Sequence, residues 1–61
     1  MDYITRAIDY RRSFIKLHPE HKAETLDLLE LMQSEIEEGG SPDGEYESFV
    51  QSVDDLLEEQ E

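Results

Sequence analysis

The clearest pattern in the chain lies in residues 41–59, which read SPDGEYESFVQSVDDLLEE. The large apolar residues of this stretch are Tyr46, Phe49, Val50, Val53, Leu56 and Leu57. Their offsets of 0, 3, 4, 7, 10 and 11 place all of them on one stripe of an α-helix. Ser41 followed by Pro42 is typical of an N-cap and the first helical position. We therefore predict an amphipathic helix over about residues 42–59.

A second amphipathic pattern begins near the start of the chain. Its apolar residues are Tyr3, Ala7, Tyr10, Phe14 and Leu17. They recur at alternating spacings of four and three, which keeps them on one stripe of a helix. Asp2 can accept a hydrogen bond from an unpaired amide at the helix N-terminus. The residue before a proline is disfavoured in a helix, so His18-Pro19 ends this segment. We predict a first helix over about residues 2–17.

The middle of the chain predicts a helix over about residues 19–38. Pro19 suits the first turn, where its missing N–H is not needed. Its buried stripe is expected to contain Leu26, Leu29, Met32 or Gln33, and Ile36. Leu28 and Leu31 lie to the side of this stripe, and we expect one of them to remain partly exposed. The short link at His18 favours an antiparallel hairpin of the first two helices.

All three glycines of the chain lie within residues 39–44, and we predict a flexible linker there. Gly39 suits the C′ position that ends the second helix. The predicted fold is therefore all-α, with one small domain over residues 1–61 that contains an antiparallel helical hairpin plus a third amphipathic helix. The third helix would pack on its own hairpin, pair with a second chain, or enter a groove of another protein.

The size of the chain limits its core. A domain of 61 residues rarely gains more than roughly 3–5 kcal/mol from its core unless a disulfide, a metal or a partner chain helps. The chain contains no cysteine, which excludes disulfides and thiolate zinc sites. A partner chain is the remaining source of stability. We therefore predict a homo-oligomer or a hetero-complex, and among these we favour a homodimer.

Charge is distributed unevenly along the chain, whose formal net charge is -12. All five basic residues lie within the first 22 positions, whereas residues 23–61 hold fourteen of the seventeen acidic residues and no Lys or Arg. One interpretation is a solvated surface that keeps the protein soluble. The other is a docking surface for a basic protein partner, of which a surface that imitates the phosphates of DNA is a special case. Both interpretations stay open at this point.

A basic, aromatic first helix can also bind nucleic acid. The residues that would do so are Arg6, Arg11, Arg12 and Lys16. The aromatic residues between them lie on the predicted core stripe, and we expect the arginines to flank that stripe and pair with carboxylates. With this net charge, attraction to phosphates would require the acidic residues to lie farther away than a Debye length of roughly 8–10 Å, beyond which salt screens their repulsion. We therefore keep nucleic-acid binding as an alternative and do not expect it.

The sequence does not predict a catalytic or metal site. His21 and Glu24 share a helix face, and His18 and Glu20 are near, but a stable zinc site needs three or four ligands and a supporting second shell. Paired acids such as Asp54-Asp55 would need a pocket that separates their pKa values, which a chain this short can hardly build. We expect no enzyme activity, no metal and no cofactor.

The sequence also lacks the features of a membrane or secreted protein. No apolar run approaches the ~20 residues of a membrane span. The start, Met1-Asp2-Tyr3, lacks the basic and then apolar pattern of a signal peptide. We predict a cytoplasmic protein that has no membrane partner.

The overall layout resembles a known group of phage proteins. The features that carry the resemblance are the length, the compact start Met1-Asp2-Tyr3-Ile4, the helix–turn–helix–linker–helix layout, and the ending Asp54-Asp55-Leu56-Leu57-Glu58-Glu59. In these features the chain resembles the short, acidic, helical early accessory proteins that lambda-like temperate bacteriophages encode between their exonuclease and excisionase genes. The resemblance implies a regulatory role in the host cytoplasm through protein contacts, and it assigns no functional residue.

We predict that this protein binds another protein and catalyses no reaction. The apolar contact residues we expect are Leu28, Leu31, Tyr46, Phe49, Val53 and Leu57. Glu35, Asp54 and Asp55 would form an acidic rim that sets the association rate and the orientation. Two alternatives remain: an inhibitor or antitoxin-like neutraliser of a basic partner, and a nucleic-acid-binding regulator that uses the first helix.

Overall fold

The computed structural model describes residues 2–58 and contains three α-helices in that range. Helix α1 spans Tyr3–Leu17, α2 spans Lys22–Glu37 and α3 spans Pro42–Glu58. A short 3-10 turn, Pro19–His21, joins α1 to α2. The described residues contain no strand, and the predicted all-α class is confirmed.

Helix α1 begins and ends as its terminal residues dictate. The Asp2 carboxylate accepts a hydrogen bond from the Thr5 amide at 2.7 Å, so Asp2 is the N-cap. This bond stabilises the charged carboxylate and holds the pKa of Asp2 below its ordinary value. At the other end, the His18 amide donates to the Phe14 carbonyl at 2.9 Å.

The second helix is shorter than the predicted range of 19–38. The first three residues of the predicted range, Pro19–His21, form the 3-10 turn instead. In this turn the His21 amide donates to the His18 carbonyl at 3.0 Å. The α-helix itself spans only Lys22–Glu37. Pro19 has no N–H, so the tighter turn can start there without losing a bond.

The link between α2 and α3 is a compact helix stop. Gly39 adopts φ +105°, a left-handed conformation that favours glycine. The Gly39 amide donates to Ile36 and the Gly40 amide to Glu35, at 3.1 and 2.7 Å, which is the pattern of a Schellman motif. The predicted linker 39–44 is too long, because α3 begins at Pro42 and Gly44 lies in its first turn.

The core lies where the three helices meet. Its buried apolar residues are Ala7 and Phe14 of α1, Leu29 and Met32 of α2, and Phe49 and Val53 of α3. Leu26, which we expected in the buried stripe, is 42% exposed, and that prediction is wrong. The buried position one residue earlier belongs to Thr25, whose hydroxyl accepts a hydrogen bond from Arg11 of α1.

Helices α1 and α3 run in the same direction. The rings of Tyr3 and Tyr46 lie 5.5 Å apart between centroids, and those of Tyr10 and Phe49 lie 6.2 Å apart. The Tyr10 hydroxyl also donates to the Asp54 carboxylate at 2.7 Å. Early residues of α1 contact early residues of α3, and later residues contact later ones. These contacts show which residues of the two helices lie at the same height along the helix axes.

Candidate protein-binding surfaces

Helix α3 borders a shallow apolar groove on its side toward α2. We call this surface the α2–α3 face; its residues are Leu28, Leu31, Glu45, Ser48 and Ser52, with Met32 and Phe49 at its floor. Leu31 is 56% exposed. Glu35 follows Leu28 and Leu31 at spacings of seven and four, and Asp55 follows Ser52 by three, so both carboxylates continue the same sides of their helices. Residues 23–61 contain no Lys or Arg, so this face carries only negative charge.

A second apolar surface lies on the opposite side of α3, toward α1. We call it the α1–α3 face; its residues are Tyr10, Phe14 and Leu17 of α1 and Tyr46 and Val50 of α3. Leu57 follows Val50 by seven residues, so it continues the same side of α3. Tyr10, Tyr46 and Val50 line an open groove of about 410 Å³ with Glu47 and Gln51. Tyr10 also lines a neighbouring groove with Ser13, Phe14 and Leu17, so the two grooves meet at Tyr10. Leu17 is 78% exposed.

Two of the predicted contact residues lie in the core instead. Phe49 is 3% exposed and Val53 is fully buried. Both occupy the middle of the α3 stripe, where α1 and α2 cover it from the two sides, so a partner protein cannot reach Val53 and meets only the floor of a groove at Phe49. We therefore correct the predicted surface by removing these two residues.

The remaining predicted residues are divided between the two faces. Leu28 and Leu31 line the α2–α3 face, and Tyr46 lines the other groove. Asp54 is already bonded to Tyr10 on the α1 side. Burial, followed by this hydrogen bond, raises the pKa of Tyr10 to about 12, because both disfavour the phenolate. The sequence placed all of these residues on one surface, and the structure separates them.

A buried polar cluster at the junction of α1 and α2 was not predicted. Thr25 is fully buried, and its hydroxyl donates to the His21 carbonyl at 2.8 Å. The Arg11 guanidinium donates to the Thr25 hydroxyl at 3.1 Å and to the Lys22 carbonyl at 3.0 Å. The spacing of Thr25 to Leu29 and Met32, four and seven residues, could have revealed that it shares their stripe.

The basic residues of α1 do not form the expected pairs. Within residues 2–58 no Arg or Lys forms a salt bridge with a carboxylate, so the expected pairing of arginines with acids is wrong there. Arg11 is bonded to neutral groups, and the Arg6 guanidinium lies 5.2 Å from the centroid of the Tyr3 ring. Of the residues in the nucleic-acid alternative, Arg6, Arg12 and Lys16 are exposed.

His21 is buried beside the same junction and is 2% exposed. Its Nδ1 lies 2.9 Å from a Glu24 carboxylate oxygen, so these residues contact each other at their helical spacing as expected. Its ring lies 6.0 Å from that of Phe14, and Phe14 also contacts the His18 ring. In the part of the chain that the structure describes, no three His, Asp or Glu side chains converge into a metal-ligating group.

Helices α1, α2 and α3, as described, are not long and apolar enough to cross a membrane. Comparison of the chain with protein-family models, with curated proteins and with solved structures finds no match.

Proposed function

We propose that this protein is a non-catalytic regulator that binds a basic protein partner through its α2–α3 face. The observation that carries the proposal is Leu31, which lies 56% exposed beside an apolar groove that only carboxylates and serines surround. An exposed leucine alone is ordinary. An exposed leucine above an apolar groove, within a surface of one charge sign, has the composition of a docking site.

The apolar and acidic residues have separate roles in this proposal. Leu28 and Leu31 would fill apolar positions of the partner and supply most of the affinity. Glu35, Glu45 and Asp55 would attract Lys and Arg side chains, which raises the association rate and sets the orientation. A partner rich in basic residues follows from the absence of any cation in residues 23–61.

The inhibitor or antitoxin-like alternative uses the same face. A basic surface that normally meets nucleic acid would be covered by this acidic one, and the protein would then neutralise its partner. The resemblance to phage accessory proteins makes a host protein in the cytoplasm the expected class of partner. We also propose that α1 and α2 form the predicted antiparallel hairpin, which is supported by the bonds from Arg11 to Thr25 and Lys22.

The test is an NMR titration of the full chain, labelled with ¹⁵N, with a short amphipathic helical peptide of leucine and lysine. We expect shift changes concentrated at Leu28, Leu31, Ser48 and Ser52, and an affinity that falls as salt is added. Shift changes that spread over all the acidic residues, or that map to α1, would show charge attraction without a site and would overturn the proposal.

Two matched variants separate the groove from simple charge. Leu31→Gln is expected to weaken peptide binding by roughly tenfold, which corresponds to about 1.4 kcal/mol. Leu26→Gln removes another exposed leucine of the same helix, outside the groove, and should leave binding unchanged. Equal effects of the two substitutions would contradict a defined site. Retention of the protein on duplex DNA at ordinary salt would instead support the nucleic-acid alternative.

A further inference from the structure

We propose that the α1–α3 face binds a second copy of this chain, in a parallel two-fold dimer. The face is distinct from the one proposed for the basic partner, so each can fail without the other. Its apolar residues line two grooves that share Tyr10, one with Tyr46 and Val50 and the other with Phe14 and Leu17. Leu17 is 78% exposed and Leu57 is 39% exposed. A second copy would bury these side chains, which are otherwise in water.

The two edges of this face carry different charges. On the α1 edge, Arg6 and Lys16 are basic, and Asp9 lies between them. On the α3 edge the charged residues at helical spacing are all acidic: Glu47, Asp54 and Glu58. Glu47 lines the groove itself, and Arg6 lies beside Tyr3, whose ring contacts Tyr46. The face therefore has two cations and one anion along the α1 edge and only anions along the α3 edge.

Symmetry then selects one arrangement of two copies. A two-fold axis that runs along the groove places the α1 edge of each copy opposite the α3 edge of its partner, with all helices of the interface in the same direction. A two-fold axis across the groove would instead oppose α1 to α1 and α3 to α3. The second arrangement brings like charges together, which costs free energy. The first one places Arg6 and Lys16 of each copy opposite the acidic edge of its partner, as a self-complementary interface requires, and only Asp9 meets a like charge.

The levels of the charged residues also match in the first arrangement. Tyr3 lies level with Tyr46, and Tyr10 contacts both Phe49 and Asp54. Arg6 lies between these levels and would meet the partner's Glu47. Lys16 lies about 9 Å beyond Tyr10, and Glu58 about 6 Å beyond Asp54, at 1.5 Å of rise per residue. Lys16 would therefore come within reach of the partner's Glu58.

The occupant is a second copy and not the basic partner because this face presents cations. A uniformly basic protein would meet Arg6 and Lys16 along one edge, whereas another copy offers the complementary acidic edge. A dimer also supplies the additional burial that a chain of 61 residues needs beyond its own small core.

The test uses charge reversal and mixing, with the mass measured by sedimentation equilibrium. The wild-type chain is expected to be a dimer. Arg6→Glu and Glu47→Arg should each weaken self-association by at least about tenfold, because each homodimer would contain two contacts between like charges. An equimolar mixture of the two variants should form a one-to-one heterodimer, since both of its cross contacts pair opposite charges. If Arg6 and Glu47 instead contacted each other within one chain, mixing the two variants would not restore association.

Controls address folding and the choice of face. Circular dichroism should show that each variant keeps its helix content. Leu17→Gln should weaken the dimer, and Leu31→Gln, on the other face, should leave it intact. A wild-type chain that stays monomeric at high concentration would overturn the proposal, as would a mixture of the two charge variants that shows no heterodimer.

Discussion

The two sides of α3 show how different surfaces arise on one helix. Toward α2 the helix meets leucines and other acidic residues, and the resulting face has no cation. Toward α1 it meets aromatic rings, and the resulting face has charges of both signs. Helix α3 itself is acidic on both sides, so the difference comes from α1, since every Lys and Arg precedes residue 23. The charge of each face is therefore set by the helix that α3 packs against.

The two sides of α3 also differ in the kind of interaction that joins them to the neighbouring helix. The α1 side has a directional bond, from the Tyr10 hydroxyl to Asp54. In residues 2–58, no side-chain hydrogen bond joins α2 to α3. The α2–α3 contact depends on apolar packing around Phe49 and Met32. Apolar packing is less directional than hydrogen bonding, so the α2–α3 face should tolerate polar changes that the α1 contacts do not.

The largest expected effect removes the residue on which both sides depend. Phe49→Ala should cost about 3–5 kcal/mol, which is comparable to all the stability that a core of this size supplies. We expect the variant to lose its cooperative melting transition in circular dichroism. Ser48→Ala, at the exposed neighbouring position, is the control and should melt like the wild type. A folded Phe49→Ala variant with an unchanged Tm would contradict the shared core.

The next effect tests the polar contact of α1 with α2. Thr25→Val keeps the shape of the side chain but removes the hydroxyl that bonds to Arg11 and to the His21 carbonyl. Leaving those groups without this partner should cost about 1–3 kcal/mol in chemical denaturation. Ser52→Ala removes a hydroxyl from the α2–α3 face and should cost less than about 0.5 kcal/mol. If Thr25→Val and Ser52→Ala lowered the free energy of unfolding equally, the proposed difference between hydrogen-bonded and apolar contacts would be contradicted.

A smaller effect concerns Tyr10 and has a defined pH dependence. Tyr10→Phe removes the bond to Asp54 and should cost about 0.5–1.5 kcal/mol at neutral pH. The folded-state pKa is raised from 10.0 to about 12, so the contribution to stability is fully present below pH 10. It is lost as the pH rises toward 12, because the unfolded chain releases this proton first.

This pH dependence can be checked by the absorbance of tyrosinate. The wild-type chain should show an ionisation step near pH 12 that is missing in Tyr10→Phe, and the stability difference between the two chains should shrink between pH 10 and 12. A stability difference that stays constant across this range would show that the Tyr10 hydroxyl is not held by the folded chain.

The smallest expected effect on folding distinguishes Leu31 of the α2–α3 face from Leu17 of the α1–α3 face. Leu31→Gln should change the free energy of unfolding by no more than about 0.5 kcal/mol, because its side chain is mostly in water. Leu17→Gln should lower the Tm only at concentrations where the wild-type chain is a dimer, since dimerisation stabilises the folded state by mass action. Melting curves over a range of protein concentrations will show whether the two substitutions differ in this way.

Much of the local structure followed from the sequence because it depends on neighbouring residues. The periodicity of apolar residues predicted three helical segments, and Asp2, Pro19 and Gly39 lie at or next to helix ends where their chemistry places them. Bonds between residues a few positions apart decide these features. The sequence also showed that the basic residues are separated from most of the acidic ones, since all Lys and Arg precede residue 23.

The tertiary structure decided which residues of each stripe are covered. Periodicity identifies the apolar side of a helix, but the positions of its neighbours determine which edges stay in water. Phe49 and Val53 are therefore in the core although they were expected to contact a partner, and Leu26 is exposed although it was expected in the core. The spacing of Thr25 places it on the stripe of Leu29 and Met32, but its hydrogen bond from Arg11 of another helix is a pairing between distant residues that no local pattern specifies.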